Sequence, residues 1–280
     1  MRRIAAVLTA LSLSLVMFGV NSTAYAQSTL QNVLNRGYLI VGTGDSNPPW
    51  HFKDANGKLV GFDIAIARIL ANGLFQDPNK VKFVIQSDSS RIPNLLTNKV
   101  DVTCQFMTVT AQRAQQVAFT VPYYREGVGL LLLKDGKYKN YAALKAAGSN
   151  VTVAVLQNVY ATHMVHQALP SAKVDQYSSP NLIYQALNSG RADAAATDAS
   201  SVKYVISQNP GHYIDSGYHW NPQSYACAVK QGDQVWLNWV NTALRQAMEG
   251  VDFPQYKAAF KRWFGETPSA PKIGFPQEFR

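Results

Sequence analysis

Along the chain, short apolar runs of strand length alternate with longer stretches in which apolar residues recur at helical spacing. Tyr38-Leu-Ile-Val-Gly42 is closed by glycine and predicts a buried strand. Asn47-Pro-Pro-Trp50 cannot extend it, because prolines remove donors and force a turn, and Asp54-Ala-Asn-Gly57 predicts a hairpin turn in which Asn-Gly supplies positive φ. Ile64, Ala65, Ile66, Ile69, Leu70 and Leu74 fit helical spacing over Phe62 to Leu74, with Asn72-Gly73 marking the end. Strands are predicted over Val81–Ile85 and Val100–Cys104, separated by a short helix over Ile92–Asn98 entered through Pro93. The alternation pauses at a long apolar strand within Phe119–Leu133, which ends at the polar turn Lys134-Asp-Gly-Lys137. It resumes with strands Val151–Val155, Val174–Tyr177 and Ala192–Ala196 and helices Tyr160–Ala168, Pro180–Asn188 and Ala199–Ser207. Strand Tyr225–Val229 and helices Gln234–Met248 and Phe253–Phe264 follow, with Trp236, Trp239, Trp263 and Phe264 as core anchors. Strand–helix alternation of this kind predicts an α/β protein with a mainly parallel sheet, written as two units joined by extended segments. A cleft between the units is then the natural place for a small ligand.

The first apolar stretch belongs to neither unit. Arg2 and Arg3 precede an apolar run from Ile4 to Val20, then polar Asn21-Ser22-Thr23 and the small-residue site Ala24-Tyr25-Ala26. This is the layout of a cleaved secretory signal peptide, so 1–26 is set aside from the fold and export is expected. Composition agrees with a folded, exported chain. With 47% hydrophobic and 15% charged residues over 280 positions and no heptads or short repeats, collagen, coiled coil and disorder are excluded. Only one stretch reaches spanning length, which excludes a multi-span membrane protein. Removing Arg2 and Arg3 lowers the net charge from +9 to +7. The remaining basic residues are scattered, with no run longer than Lys261-Arg262, so the charge reads as a solvated surface and no nucleic-acid partner is expected. The two cysteines, Cys104 and Cys227, form no C-x-x-C, and no histidine lies at zinc spacing. An oxidising compartment permits them to pair, but spacing alone does not bring them together.

Several segments in order carry a resemblance. These are Pro49-Trp50, Gly57-Lys-Leu-Val-Gly-Phe-Asp63, Arg91-Ile-Pro-Asn-Leu-Leu96, Lys99-Val-Asp101, Thr108-Val-Thr-Ala-Gln-Arg113, Phe119-Thr-Val-Pro-Tyr-Tyr124 and Gly190-Arg-Ala-Asp-Ala-Ala-Ala-Thr-Asp198. Together, from about Leu30 to Phe264, they resemble the family 3 extracellular solute-binding proteins, the periplasmic amino-acid receptors of ABC importers. The resemblance implies an α/β, two-lobed periplasmic-binding-protein fold of type II, its two domains joined by two crossover strands. Lobe I would be 27–124 plus 223–280 and lobe II 125–222. It further implies a monomeric periplasmic receptor that needs no cofactor and delivers its amino acid to an inner-membrane permease.

The resemblance also assigns candidate residues. Arg113 falls where the family's arginine grips the ligand α-carboxylate, a task suited to a planar guanidinium with two parallel donors and placed near the start of a helix over Ala111–Gln116. Asp198 falls at the carboxylate that receives the α-ammonium group, and it is also positioned to cap the helix that follows. Thr108 takes the hydroxyl position, while Gln105 and Phe106 stand where small serines are usual and make the floor bulkier. Trp50 stands at an aromatic wall, or else beneath it in the core. The family's Gly-Thr-Thr turn becomes Asn158-Val-Tyr160, leaving Tyr160 in place of a hydroxyl. For the ligand side chain the clues divide. Asp45, with Asp88 close by, matches an aspartate of basic-amino-acid receptors. Arg91 matches an arginine of glutamate/aspartate receptors, whose second arginine would fall at Gly44. In those receptors a cysteine pair lies at the positions of Cys104 and Cys227, which implies a disulfide here.

The alternative on the same fold is an enzyme similar to the cyclohexadienyl dehydratases. Where those carry a glutamate, this chain reads Ala161-Thr162-His163, and His163 and His166 on one predicted helix are read as solvent-facing. There is no Gly-x-Ser-x-Gly, H-E-x-x-H or P-loop motif to support another reaction.

Overall fold

The computed structural model describes residues 28–157 and 161–274, so the predicted signal segment and Asn158–Tyr160 lie outside the described residues. The elements in the first half are α1 (Thr29–Arg36), β1 (Leu39–Thr43), β2 (Ser46–Asn47), β3 (His51–Lys53), β4 (Leu59–Val60), α2 (Phe62–Phe75), β5 (Val81–Ile85), α3 (Arg91–Leu96), β6 (Val102–Thr108), α4 (Ala111–Ala114) and β7 (Val117–Leu133). They continue with α5 (Tyr141–Ala147), β8 (Thr152–Leu156), α6 (Ala161–Ala168), β9 (Lys173–Tyr177), α7 (Pro180–Asn188), β10 (Ala194–Asp198), α8 (Ala199–Gln208), β11 (Tyr213–Asp215), β12 (Trp220–Lys230), α9 (Gln234–Glu249) and α10 (Phe253–Phe264).

The main sheet runs in the order β5-β1-β6-β12-β7-β10-β8-β9, with β11 also on β7. Its two ends are parallel, as βαβ connections require: β1 with β5 and β6, and β8 with β9 and β10. Its middle is antiparallel, because β7 and β12 pair from Val117↔Lys230 to Val128↔Trp220. Cores form on both sides of this junction. Val33, Leu39, Trp50, Phe62, Cys104, Tyr123, Cys227, Trp236 and Phe264 belong to one, and Val128, Leu130, Val153, Val165, Ala194 and Trp220 to the other. The change of core falls between Tyr124 and Val128 on β7 and between Trp220 and Tyr225 on β12.

Caps set several helix starts. Ser179 accepts from Leu182 N ahead of Pro180 at the first turn of α7, and Asp233 accepts from Trp236 N to open α9 while its second oxygen holds Thr29 N. Gly61 opens α2 at φ 130°, where a Cβ would fall 2.2 Å from the Trp50 carbonyl, so only glycine lets the Pro49-Trp50 turn hydrogen-bond onto the helix. The helix then passes the expected stop at Asn72-Gly73 and ends at Gln76, because Leu74 and Phe75 still pack against the core. Strands β6 and β12 are longer than the apolar pattern predicts, α4 is shorter, and α1, α5 and β11 have no counterpart in it. A Cys104–Cys227 disulfide joins β6 to β12 across a bulge between Ala226 and Ala228.

Candidate functional site

A cavity of about 430 Å³ opens at the carboxyl ends of β1 and β5 and along β6, the favoured location for ligands in open α/β sheets. Gly44–Asn47 form one wall, Gln86–Asp88 the other, and Gln105 and Phe106 the floor, with His51 behind. The floor is held by amides. Gln86 donates to Thr103 Oγ1 at 3.3 Å and to Gln105 Oε1 at 3.0 Å, Asn94 donates to Gln86 Oε1 at 2.7 Å, and Gln105 donates to Asp88 Oδ1 at 3.0 Å. Gly42 makes room for this lattice, since a Cβ there would lie 2.5 Å from Gln86 Nε2.

Phe106 stands in the left-handed region at φ 33°, a conformation that a bulky residue keeps only when its surroundings dictate it. They do. Its N–H donates to Asp63 Oδ2 at 3.0 Å, and its ring lies between the His51 imidazole, stacked at 4.9 Å, and the Arg91 guanidinium at 5.3 Å. Asp63 is fully buried and also receives the Tyr123 hydroxyl at 2.6 Å and His51 Nδ1 at 2.8 Å. The imidazole is thereby fixed through Nδ1, leaving the Nε2 edge toward Gly44 and the cavity.

The predicted residues divide into three groups. Asp45, Gln105 and Phe106 line the cavity. Arg91 lies under that floor instead of on it. At 6% exposure it donates to the Gln105 and Asp88 carbonyls at 3.0 and 2.9 Å, and burial lowers its pKa. Two of its five N–H groups are thereby given to backbone carbonyls, and Arg91 is not among the residues that line the cavity. Arg113 and Thr108 form the second group, at the end of β6. Arg113 Nη1 donates to the Thr108 carbonyl at 2.8 Å, and the Thr108 hydroxyl donates to Gln223 Oε1 at 3.2 Å. The expected helix N-terminus at Arg113 is reduced to the single turn of α4, whose Arg113 N–H is taken by Thr110 Oγ1.

Asp198 and Trp50 form the third group, where β7 and β10 meet α8. Asp198 stands at the N-cap position of α8 but its side chain makes no capping bond. Glu126, reaching over from β7, takes that role: its Oε1 accepts Ser200 N at 3.2 Å and Gly127 N at 2.9 Å, while its buried Oε2 has no partner. Burial, with the charge of Asp198 next, pushes Glu126 up to about 7, and burial pushes Asp198 up to about 6. Trp50, for which a ligand wall and a place in the core beneath it were both open, is fully enclosed in the core. Its ring meets Tyr124 at 4.9 Å, Tyr225 at 5.1 Å and Phe264 at 5.5 Å, and its indole N–H donates to Ser200 Oγ at 3.2 Å. Tyr160 lies outside the described residues.

Sequence reasoning missed His51, Gln86, Gln223 and Glu126. A signal existed for Glu126, the one carboxylate in a mostly apolar strand, since such groups are seldom fully buried without purpose.

The chain is similar to the ABC transporter glutamine-binding protein of Bacillus subtilis, 26% identical over 90% of this chain and 91% of that protein. It is also similar to the glutamate/aspartate import solute-binding protein of Escherichia coli K12, 24% identical over 97% and 91%. Among solved structures, an ancestral cationic amino acid solute-binding protein superposes with a TM-score of 0.74 at 33% identity, over 85% of this chain and all of that one. The model of the bacterial extracellular solute-binding proteins, family 3, matches residues 39–266, nearly the whole described chain, and the protein belongs to that family of transport binding proteins.

Proposed function

We propose that the protein is the amino-acid-binding component of an ABC importer, and that it takes an amino acid whose side chain carries hydrogen-bond donors, arginine or glutamine in type. The observation that carries the side-chain class is the cavity lining, which holds the carboxylates of Asp45 and Asp88 and no lysine or arginine. Asp88, its side chain 60% exposed, is held only loosely by Arg91 at 3.9 Å, and Asp45 is paired with Lys53 at 3.0 Å. An acidic side chain entering there would be desolvated against like charge, which costs several kcal/mol and builds selectivity by repulsion. Arg113, with Thr108 beside it, takes the α-carboxylate, and Asp198 takes the α-ammonium. Because Thr108 ends β6 and Asp198 ends β10, strands whose buried residues Cys104 and Ala196 pack in different cores, a ligand that touches both favours the closed arrangement of two lobes, 27–124 plus 223–280 against 125–222. The exported receptor works in the periplasm and hands its closed form to the membrane permease.

Calorimetry against the twenty common amino acids tests this. Arginine or glutamine is expected to bind and glutamate not to; tighter binding of glutamate overturns the side-chain assignment. Arg113→Ala is expected to weaken the best ligand by about 100-fold or more, on the order of 3 kcal/mol for a buried charged contact. Survival within a few-fold removes Arg113 from the head-group site.

A further inference from the structure

Glu126 is 3% exposed, and one of its oxygens, Oε2, has no hydrogen-bond partner. A buried carboxylate oxygen left open is costly and calls for a reason. The sheet register supplies the setting. Asp198 pairs with Val128, and residues two apart on a strand share a face, so Glu126 and Asp198 lie diagonally on the same face, about 7–8 Å apart between backbones. Both sit where the core changes sides along β7. The groups facing the pair are Tyr124 from β7, Tyr225 from β12, Tyr184 from α7 beside Asp198 and, from α8, the uncharged Ser200. Among the described residues, neither carboxylate forms an ion pair with a basic side chain.

Resting on the reading of Asp198 as the ammonium contact, we propose that Glu126 completes it: the two carboxylates form one seat for the ligand's cationic nitrogen. Two close carboxylates, Glu126 buried and Asp198 half-buried, share a proton when no cation is present, because both cannot ionise cheaply. The ammonium arrives with its own charge, so the shared proton leaves to solvent as the ligand binds. That exchange belongs to the range around pH 6 to 7 in which the two groups titrate.

The test is calorimetry of the full chain with arginine and glutamine as probes, at about pH 6.5 and about pH 8, in buffers of differing ionisation enthalpy. The expected result is release of a fraction of a proton at the lower pH, falling toward zero at the higher, with affinity rising between them. Glu126→Gln keeps the cap on Ser200 and is expected to abolish the release and weaken binding at least tenfold; its thermal melt checks folding. Asp198→Asn, the second variant, is expected to abolish the release as well. Heats independent of buffer, with Glu126→Gln binding as the unaltered protein does, would reduce Glu126 to a cap for α8 and overturn the proposal. If Asp198→Asn weakens binding while Glu126→Gln does not, the shared seat alone fails. If neither probe binds the unaltered protein, or Asp198→Asn changes nothing, the ammonium assignment beneath it fails too.

Discussion

At Phe106 a strained backbone, an aromatic ring and a buried carboxylate meet, and the residue shows how the site is fixed by neighbours instead of by its own preferences. Its left-handed φ is held by the N–H bond to Asp63 and by the His51 and Arg91 faces on its ring. The arrangement depends on Gly44, where a Cβ would lie 2.5 Å from His51 Cδ2 and 2.6 Å from Nε2. The imidazole cannot yield easily, being stacked on one side and bonded to Asp63 on the other. Gly44→Ala is therefore expected to dislodge the ring and reshape the cavity wall, weakening the best ligand by about tenfold or more while costing about 1–3 kcal/mol of stability. Calorimetry and urea unfolding together check it, and unchanged affinity would show that His51 does not shape the cavity. The sequence resemblance pointed to Gln105 and Phe106 as the bulky floor, and the structure places both on the cavity. It did not point to His51, because nothing in the local pattern distinguishes a histidine in a hairpin strand from any other. The informative partner, Asp63, lies on a different element and reaches it only in three dimensions.

At the scale of elements, legibility follows burial. Helices α7 and α10 were readable to the residue because each carries one apolar face and a proline in its first turn. Strand β12 was readable only from Tyr225 onward; its first residues cross between the cores, Trp220, Gln223 and Ser224 pairing with β7 around a register shift at Asn221-Pro222, so the sequence shows no alternation there. Glu126 was overlooked for the same reason, since its partners, the N–H groups of Ser200 and Gly127, are set by the meeting of β7 with α8; likewise the carbonyls of Gln105 and Asp88 that hold Arg91 leave no mark in its local pattern. Glu126 also makes an element-level prediction. Its folded pKa of about 7 lies above the ordinary 4.5, so between those values the native state holds more protons than the unfolded chain. The empty protein should then lose stability as pH rises from about 4.5 to about 7, on the order of 3 kcal/mol. Glu126→Gln should flatten that slope and be the more stable protein at about pH 8. Chemical unfolding across this range, without ligand, measures it; parallel slopes for both proteins would contradict the burial argument.

For the whole molecule, the placement of the one covalent cross-link separates stability from motion. Cys104 on β6 and Cys227 on β12 both pack in the core built from the chain's two outer segments, closing a loop with a sequence separation of 123 residues. The link crosses no part of the junction at Tyr124–Val128 or Trp220–Tyr225, so it restrains the unfolded chain and one core without tying the two halves together. In the proposed binding mode, closure around a ligand draws on different residues, with Arg113 and Thr108 on one side and Asp198 and Glu126 at the junction. The double variant Cys104→Ala, Cys227→Ala should therefore lose about 2–5 kcal/mol of unfolding free energy. It should still contract on adding ligand, by the same fall in radius of gyration as the unaltered protein. Urea unfolding and small-angle scattering with and without the best-binding amino acid read the two effects separately. If removing the cysteines left stability unchanged, the disulfide would contribute nothing to the fold. If it abolished the contraction, the cross-link would be part of the closing mechanism, and the division of the molecule into a stapled body and a moving partner would have to be redrawn.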